Sequence, residues 1–227
     1  MPVVEPTAPT QQPATSSIET PRVISLPGGV LCDRARGEVL VPGEVAIDMG
    51  FLEQVACIRG TREHEALVVV DCRPSDVHAA LLLLGLESGQ PGRWVYRPET
   101  EPRRVPPHGA RVDVAVRFVD EAGIVQEHPV DSWMVGQPGD RPFPEQTWIF
   151  GGSVIEPDDG HYRADSSGSL VGLVTFGDEV LGLESVISDS VEVDAAVWEA
   201  RTLLVPAPGT PVQLVLRPAE GQAPPDP

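Results

Sequence analysis

Residues 51–86 read FLEQVACIRGTREHEALVVVDCRPSDVHAALLLLGL. Two apolar runs, a turn signal between them and a short helical pattern follow one another here, and they decide the fold class. The runs at 53–58 and 64–71 carry Val55, Ile58, Val68, Val69 and Val70, β-branched residues that favour strands. Arg59-Gly60-Thr61-Arg62 separates them. Gly60 at the first central position suits a two-residue type II′ turn, whose twist matches the flanking strands. An antiparallel hairpin in that register opposes Arg59 to Arg62, Ile58 to Glu63 and Cys57 to His64. A four-residue loop keeps this pairing, whereas a three-residue loop shifts it by one. Opposed residues share a face, with Cβ atoms roughly 5 Å apart.

The next residues predict a helix over about 74–84. Pro74 suits a first helical position, where its missing N–H costs nothing. Ser75 and Asp76 favour the first turn, and Gly85 can take φ > 0 and stop the helix. Val77, Ala80, Leu81 and Leu84 form one stripe, while Leu82 and Leu83 extend the apolar surface around the cylinder. A helix so apolar is expected to be buried on most sides. It is too short to span a bilayer.

Outside this stretch the body reads as strand. Residues 111–120 alternate: Val112, Val114, Val116 and Phe118 face one way and Arg111, Asp113, Ala115 and Arg117 the other, as in a half-buried antiparallel strand. Gly123 turns that strand into Ile124-Val125. Residues 38–48 read as two short strands about Pro42-Gly43. Further strands are expected at 147–150, 161–164, 170–176, 180–183 and 212–217, with loops at 88–109 and 136–146. The fold class is α+β: a mainly antiparallel β-sheet with one short buried helix packed on it. No βαβ alternation and no fixed-period repeat is present, which weighs against Rossmann, TIM-barrel and solenoid folds. Residues 1–22 are rich in Pro, Thr, Ser and Gln and read as a disordered linker. Residues 23–218 form one domain in this reading, and 219–227 a frayed tail. No signal peptide is visible, so Met1 as the true start places the chain in the cytoplasm; the linker looks instead like a spacer behind an export signal, which a misassigned start would explain.

All sixteen basic residues are arginine, and the formal charge is −18. Without lysine there is no Schiff-base or P-loop lysine, and without asparagine no N-glycosylation acceptor. A chain this acidic repels phosphate backbones, so nucleic acid is not an expected partner. The acidic run from 156 to 199, with Arg163 its only basic residue, lacks EF-hand spacing and reads as a solvated surface. Cys32, Cys57 and Cys72 are too few for a disulfide scaffold and form no CxxC. One disulfide is open to them, with partners that sequence does not give.

Cys57 is the leading chemical candidate. Arg59, Arg62 and His64 surround it in sequence, and cations lower a thiol's pKa. A Cys–His pair is the minimal nucleophile-and-base arrangement, with Glu53 available to orient the base. Against this stands the plain alternative of a small buried hydrophobe. A metal site from Cys57, His64, Cys72 and His78 is disfavoured. Its spacing matches no standard zinc module, and Cys72 lies roughly 27 Å along a straight strand from His64. His78 reads as a core-edge histidine bonded to a carbonyl. Trp148 and Phe150 before Gly151-Gly152-Ser153 read as core aromatics ending at a turn, with a pocket lining as the alternative. GGSVI is not a nucleophile elbow.

The blocks LEQVACIRGTREHEALVVV and CRPSDVHAALLLLGL, then TWIFGGS, YRADSSGSLVGLVTFGDEVLGLES and GTPVQLVL, resemble the uncharacterised bacterial family of YdjY-domain proteins, over about residues 28–218. The resemblance implies a shared fold and a bacterial origin. Its members often look exported or envelope-associated, which implies a cell-envelope or periplasmic location. Some carry a ferredoxin-like label, but this chain lacks cluster-ligand spacing. The combined expectation is a non-catalytic binding or accessory domain for a protein or small-molecule ligand, with no cofactor and no transmembrane segment. The alternative is a thiol-dependent enzyme or redox protein using Cys57, His64 and Glu53.

Overall fold

In a computed structural model of the chain, the described residues are 22–96, 102–137, 141–144, 147–188 and 197–219. The linker expected over residues 1–22 and the tail expected over 219–227 fall outside them, apart from Arg22 and Ala219.

The alternating strand at 111–120 sets the architecture. Its inward valines meet inward residues of both neighbours, and that ring of contacts continues until it closes. Eight strands form the resulting barrel: β1 (Glu38–Val45), β2 (Gln54–Ile58), β3 (Ala66–Val70), β4 (Ala110–Val119), β5 (Trp148–Phe150), β6 (Ser169–Gly172), β7 (Leu181–Leu183) and β8 (Pro211–Pro218). Around the wall the order is β1-β8-β4-β5-β7-β6-β2-β3, and β3 pairs back onto β1. Register carries the inward face around the wall: Val39 opposes Leu216, Leu216 opposes Val114, Val112 opposes Trp148, and Trp148 opposes Leu183. These side chains fill the interior, as in other small barrels. The expected simple sheet is therefore a closed barrel, and two of its seams, β2–β3 and β6–β7, are parallel.

The hairpin expected from Arg59-Gly60-Thr61-Arg62 does not form. β2 and β3 run parallel, with Cys57 opposite Val69 and Ile58 opposite Val70. Gly60 does turn the chain, at φ 85°. Residues 59–65 then carry it back through a 3₁₀ turn at Glu63–Glu65. Parallel neighbours usually need a dozen or more linking residues. Here the return is only about 14 Å, within the reach of about 27 Å that eight Cα steps allow. The physical reason is burial: every residue of β3 is buried. A strand apolar on both faces belongs in a covered wall and not in a half-solvated hairpin.

Helix α1 spans Pro74–Leu83, with Pro74 in the first turn and Gly85 at φ 96°. It follows β3 and packs on Leu31–Asp33 and β1, and its His78 ring meets the interior Phe150 at 4.9 Å. It thus closes one end of the barrel. Val77, Ala80 and Leu81 are buried, but Leu82 and Leu83 are 47% and 40% exposed. The helix is buried on one face, not on most sides. It is not alone: α2 (Arg163–Ser167) stands where a strand was expected at 161–164. Asp165 of α2 supplies the N-terminal cap that α1 lacks in its own sequence, accepting the Ser75 N–H at 2.8 Å and hydroxyl at 2.7 Å.

Residues 38–45 form one continuous strand through Pro42-Gly43. Along one edge its partner changes from Leu31–Asp33, ending at Leu40, to β3, starting at Gly43. Pro42 sits at that change. Val125–Pro129 folds back on β4 as expected, its turn held by the Asp120 carboxylate on the Ala122 and Ile124 amides. Arg93–Val95 and Arg103–Val105 pair within the 88–109 segment expected as loop. A small second sheet joins Arg141–Pro142, Met134–Gln137, Val197–Ala200 and Phe51–Leu52. Among the described residues, no helix is long and apolar enough to cross a membrane.

Leu81 and Leu82 test the placement of α1. Leu81→Ala should cost about 2–5 kcal/mol and Leu82→Ala no more than about 0.5 kcal/mol, read by urea denaturation. Equal losses would show that the helix does not close the barrel through its Leu81 face.

Candidate functional site

The parallel β2–β3 pairing decides the fate of Cys57, His64 and Glu53. Cys57 is fully buried between Val69 and Ser169 on its two neighbouring strands. Burial pushes its thiol pKa up, against the hydrogen bonds of the Arg62 backbone and the Thr61 side chain. His64 lies in the surface 3₁₀ turn, its side chain 74% exposed and Nε2 3.7 Å from the Glu65 carboxylate. Glu53 ties strands together through its backbone: its carbonyl accepts the Leu173 and Val174 N–H groups. Arg59 is engaged by Asp71 at 2.7 Å and Glu44 at 3.1 Å, and the Arg62 guanidinium stacks 3.8 Å over Phe176. Cys57 and His64 are not opposed, and the nucleophile-and-base arrangement is not assembled. Cys72 is buried with its pKa pushed up to about 12, first by burial and then by Asp76. All three cysteines are free. No cluster of three or more His, Cys, Asp or Glu suited to a metal occurs among the described residues.

A second polar centre lies where α1 meets the end of β5. Gly151 runs against the Pro91 backbone, with room for no Cβ, and Gly152 takes φ 83° facing the His78 ring. Ser153 is the one non-glycine residue at positive φ (59°) among those described. Its hydroxyl accepts the Ala164 N–H at 3.1 Å. The Tyr162 hydroxyl donates to the Gly152 carbonyl at 2.8 Å and lies 2.8 Å from His78 Nδ1. The consistent tautomer places a hydrogen on Nδ1, which donates to Tyr162 and toward the Gly152 carbonyl at 3.1 Å. Burial holds His78 below the ordinary histidine pKa, against the Gly152 hydrogen bond. His78 is the carbonyl-bonded histidine that the sequence predicts, and Trp148 and Phe150 are core aromatics. These groups pin the helix to the barrel.

The third centre has no local signature in the sequence. Glu38, with its side chain 3% exposed, receives Arg217 at 2.6 Å and Arg117 at 3.2 Å. The same two arginines hold Glu127, at 2.6 and 2.7 Å. Burial raises the Glu38 pKa, but the Arg217 and Arg117 hydrogen bonds outweigh it and the net shift is downward. Arg217, with help from Arg117, draws Glu127 down to about 2. The Arg117–Glu127 pair was within reach of the sequence, because the Gly123 hairpin opposes these residues. Glu38 and Arg217 are 179 residues apart, and no local pattern joins them.

Beside this network β4 changes partner along one edge. Residues 110–112 pair with β5 and 115–119 with Val125–Pro129. At Asp113 and Val114 neither strand lies alongside, and a groove of about 330 Å³ opens there. It is lined by Asp113, Glu127, Pro129, Asp131, Trp148 and Arg217, among others. Its aromatic wall and mixed charges suit a small polar group.

Glu38→Ala should cost about 1–3 kcal/mol, because it removes the more buried of the two carboxylates on Arg117 and Arg217 while Glu127 still holds both. Arg111→Ala, at a surface pair with Glu184 more than half exposed on both sides, should cost less than about 1 kcal/mol. Cys57 should resist alkylation at neutral pH until the protein unfolds, which mass spectrometry of native and urea-treated protein reads directly.

The family model for the YdjY domain matches residues 30–217. No match was found among curated proteins or among solved structures. The matched span runs from the residue before Leu31–Asp33 to Arg217 in β8 and takes in the barrel, both helices and the groove, and the chain belongs to the YdjY-domain family.

Proposed function

We propose that the chain is a non-catalytic binding or accessory domain acting in or near a bacterial cell envelope. The observation that supports this most directly is the groove beside β4. It is an open concavity bordered by charged side chains of both signs, and its roughly 330 Å³ is at the small end for ligand sites. That volume suits one peptide side chain or a small polar ligand. Asp113, Glu127 and Asp131 outweigh Arg217 in charge, so the favoured occupant is a hydrogen-bond donor such as an amine or guanidinium. Several groups with catalytic potential are otherwise engaged. Cys57 is packed, Ser153 and Tyr162 hold backbone groups, and Glu38 holds two arginines. The envelope placement rests on the family, whose members often look exported.

The test is an amide-resonance titration of the full chain with small amines, guanidines and carboxylates, and with short basic peptides. Amines or guanidines should move the signals of Val114, Glu127 and Asp131, and Asp131→Ala should weaken that binding about tenfold. Covalent labelling of the native protein at Ser153 or Cys57 by a serine- or thiol-directed probe would overturn the non-catalytic reading. Shifts confined to another face would overturn the groove.

A further inference from the structure

The seam between β6 and β7 is the shortest in the barrel wall. It has two paired positions, Val171 with Leu181 and Gly172 with Gly182. The other seams have three or more. This weakest seam also carries a buried carboxyl. Residues 173–180 cross from one strand to the other, and Glu179, 2% exposed, folds its side chain back over both. A Cβ on Gly172 would stand 3.3 Å from Glu179 Cγ, and one on Gly182 3.0 Å from Glu179 Oε1. Oε2 accepts the N–H groups of Gly177 at 2.8 Å and Asp178 at 3.1 Å.

Unmet polar atoms gather at the same place. Buried atoms without a hydrogen-bond partner include Asp178 Oδ1, Arg62 Nη1 and Gln54 Oε1. Asp178 is in the crossover, Arg62 stacks on its Phe176, and Gln54 opposes Gly172 across the β6–β2 seam. Native structures leave few such atoms, and three near one seam give it polar groups that the rest of the protein does not pair.

We propose that Glu179 is a proton-operated latch on this seam: its neutral carboxyl holds residues 173–180 against β6 and β7, and its ionisation releases them. A neutral carboxyl fits against glycine Cα atoms in a dry wall, whereas a carboxylate there lacks a counter-charge in contact. The charged groups around it are Asp178 in its own loop, Arg62 over Phe176, Arg93 beside Gly177, and Glu53, whose carbonyl holds Leu173 and Val174. Gly172, Gly182 and the Gly152-Ser153 turn bring none. Burial pushes the Glu179 pKa up to about 7, and Asp178 adds to the rise against the loop amides. A folded-state pKa raised above the ordinary 4.5 means that the folded form binds the proton more tightly. The latch therefore contributes fully below pH 4.5 and is lost as pH rises through about 7.

Hydrogen exchange of the full chain at about pH 5 and about pH 8, corrected for intrinsic rates, reads the latch, since the folded carboxyl is neutral at the first and ionised at the second. Peptides covering residues 172–182 should lose protection on the order of a hundredfold at the higher pH, the worth of the two units between pH 5 and a pKa of about 7. Peptides from β4 and β8 should not. Glu179→Gln, which stays neutral, should keep the segment protected at both pH values. Unchanged wild-type protection, or the same pH dependence in the glutamine variant, would sink the proposal. Should Glu179→Gln fail to fold, the infrared band of the neutral carboxyl decides in wild type. It must vanish over the pH range in which residues 172–182 lose protection, and a mismatch of the two curves rejects the latch.

Discussion

Closure of the barrel imposes a parity on its seams. Each antiparallel seam reverses the chain direction as the wall is followed from strand to strand. A closed ring returns to its starting direction only if the number of antiparallel seams is even. Here six are antiparallel and two parallel. A hairpin at β2–β3 would leave seven, and the ring could not close with the remaining seams as they stand. The parallel pairing of β2 with β3 is thus coupled to that of β6 with β7. What drives closure is the apolar surface on both faces of β2 and β3. Val55, Leu67, Val68 and Val70 are wholly buried, and each is worth about 1.5–3 kcal/mol when removed from water.

The charged residues serve the same closure. Glu38 is on β1, Arg217 on β8, Arg117 on β4 and Glu127 on the strand folded back on β4, so one network crosses three seams. Val215, on the same outer face, is fully buried, consistent with arginine stems lying over it. In a chain of net charge −18, two of its few cations are committed here and not spread over the surface. Asp165 and Ser75 do the equivalent work at the barrel end, tying α1 to α2.

The sequence revealed what depends on near neighbours. Pro74 and Gly85 bracket α1, the alternation at Val112–Phe118 marks the inward face of β4, and Gly123 fixes its hairpin. His78 as a carbonyl-bonded helix residue was legible too, because a histidine among leucines on a capped helix needs such a partner. Strand direction at β2–β3 was not. Arg59-Gly60-Thr61-Arg62 has the chemistry of a hairpin turn, and it does turn the chain. The counter-signal was the unbroken apolar run Ala66–Val70, which marks a strand covered on both faces. That single reversal of direction removed the Cys57–His64 pairing, since opposition across a hairpin was its whole basis. α2 is not legible locally because the role of Asp165 is to cap a helix ninety residues away, nor is the Glu38 network, because its members meet only once the wall is closed.

The two parallel seams answer the same topological demand with opposite chemistry. β2 and β3 share four paired positions, three of them between apolar side chains, and their short return turn seals Cys57 beneath it. β6 and β7 share two, with glycine on both strands and, in the crossover, a buried carboxyl beside the unmet Asp178 Oδ1. Parity requires both seams to exist but not that both be equally tight. A leucine at position 179 would seal the second seam with the dry apolar contacts of the first, at no cost in topology. A glutamate there gives up stability near neutral pH, since its burial opposes its charge. Local rules are most often broken where a protein must do more than fold. By that criterion the 172–182 segment, more than the buried cysteine, is the part of this barrel built to respond to its surroundings.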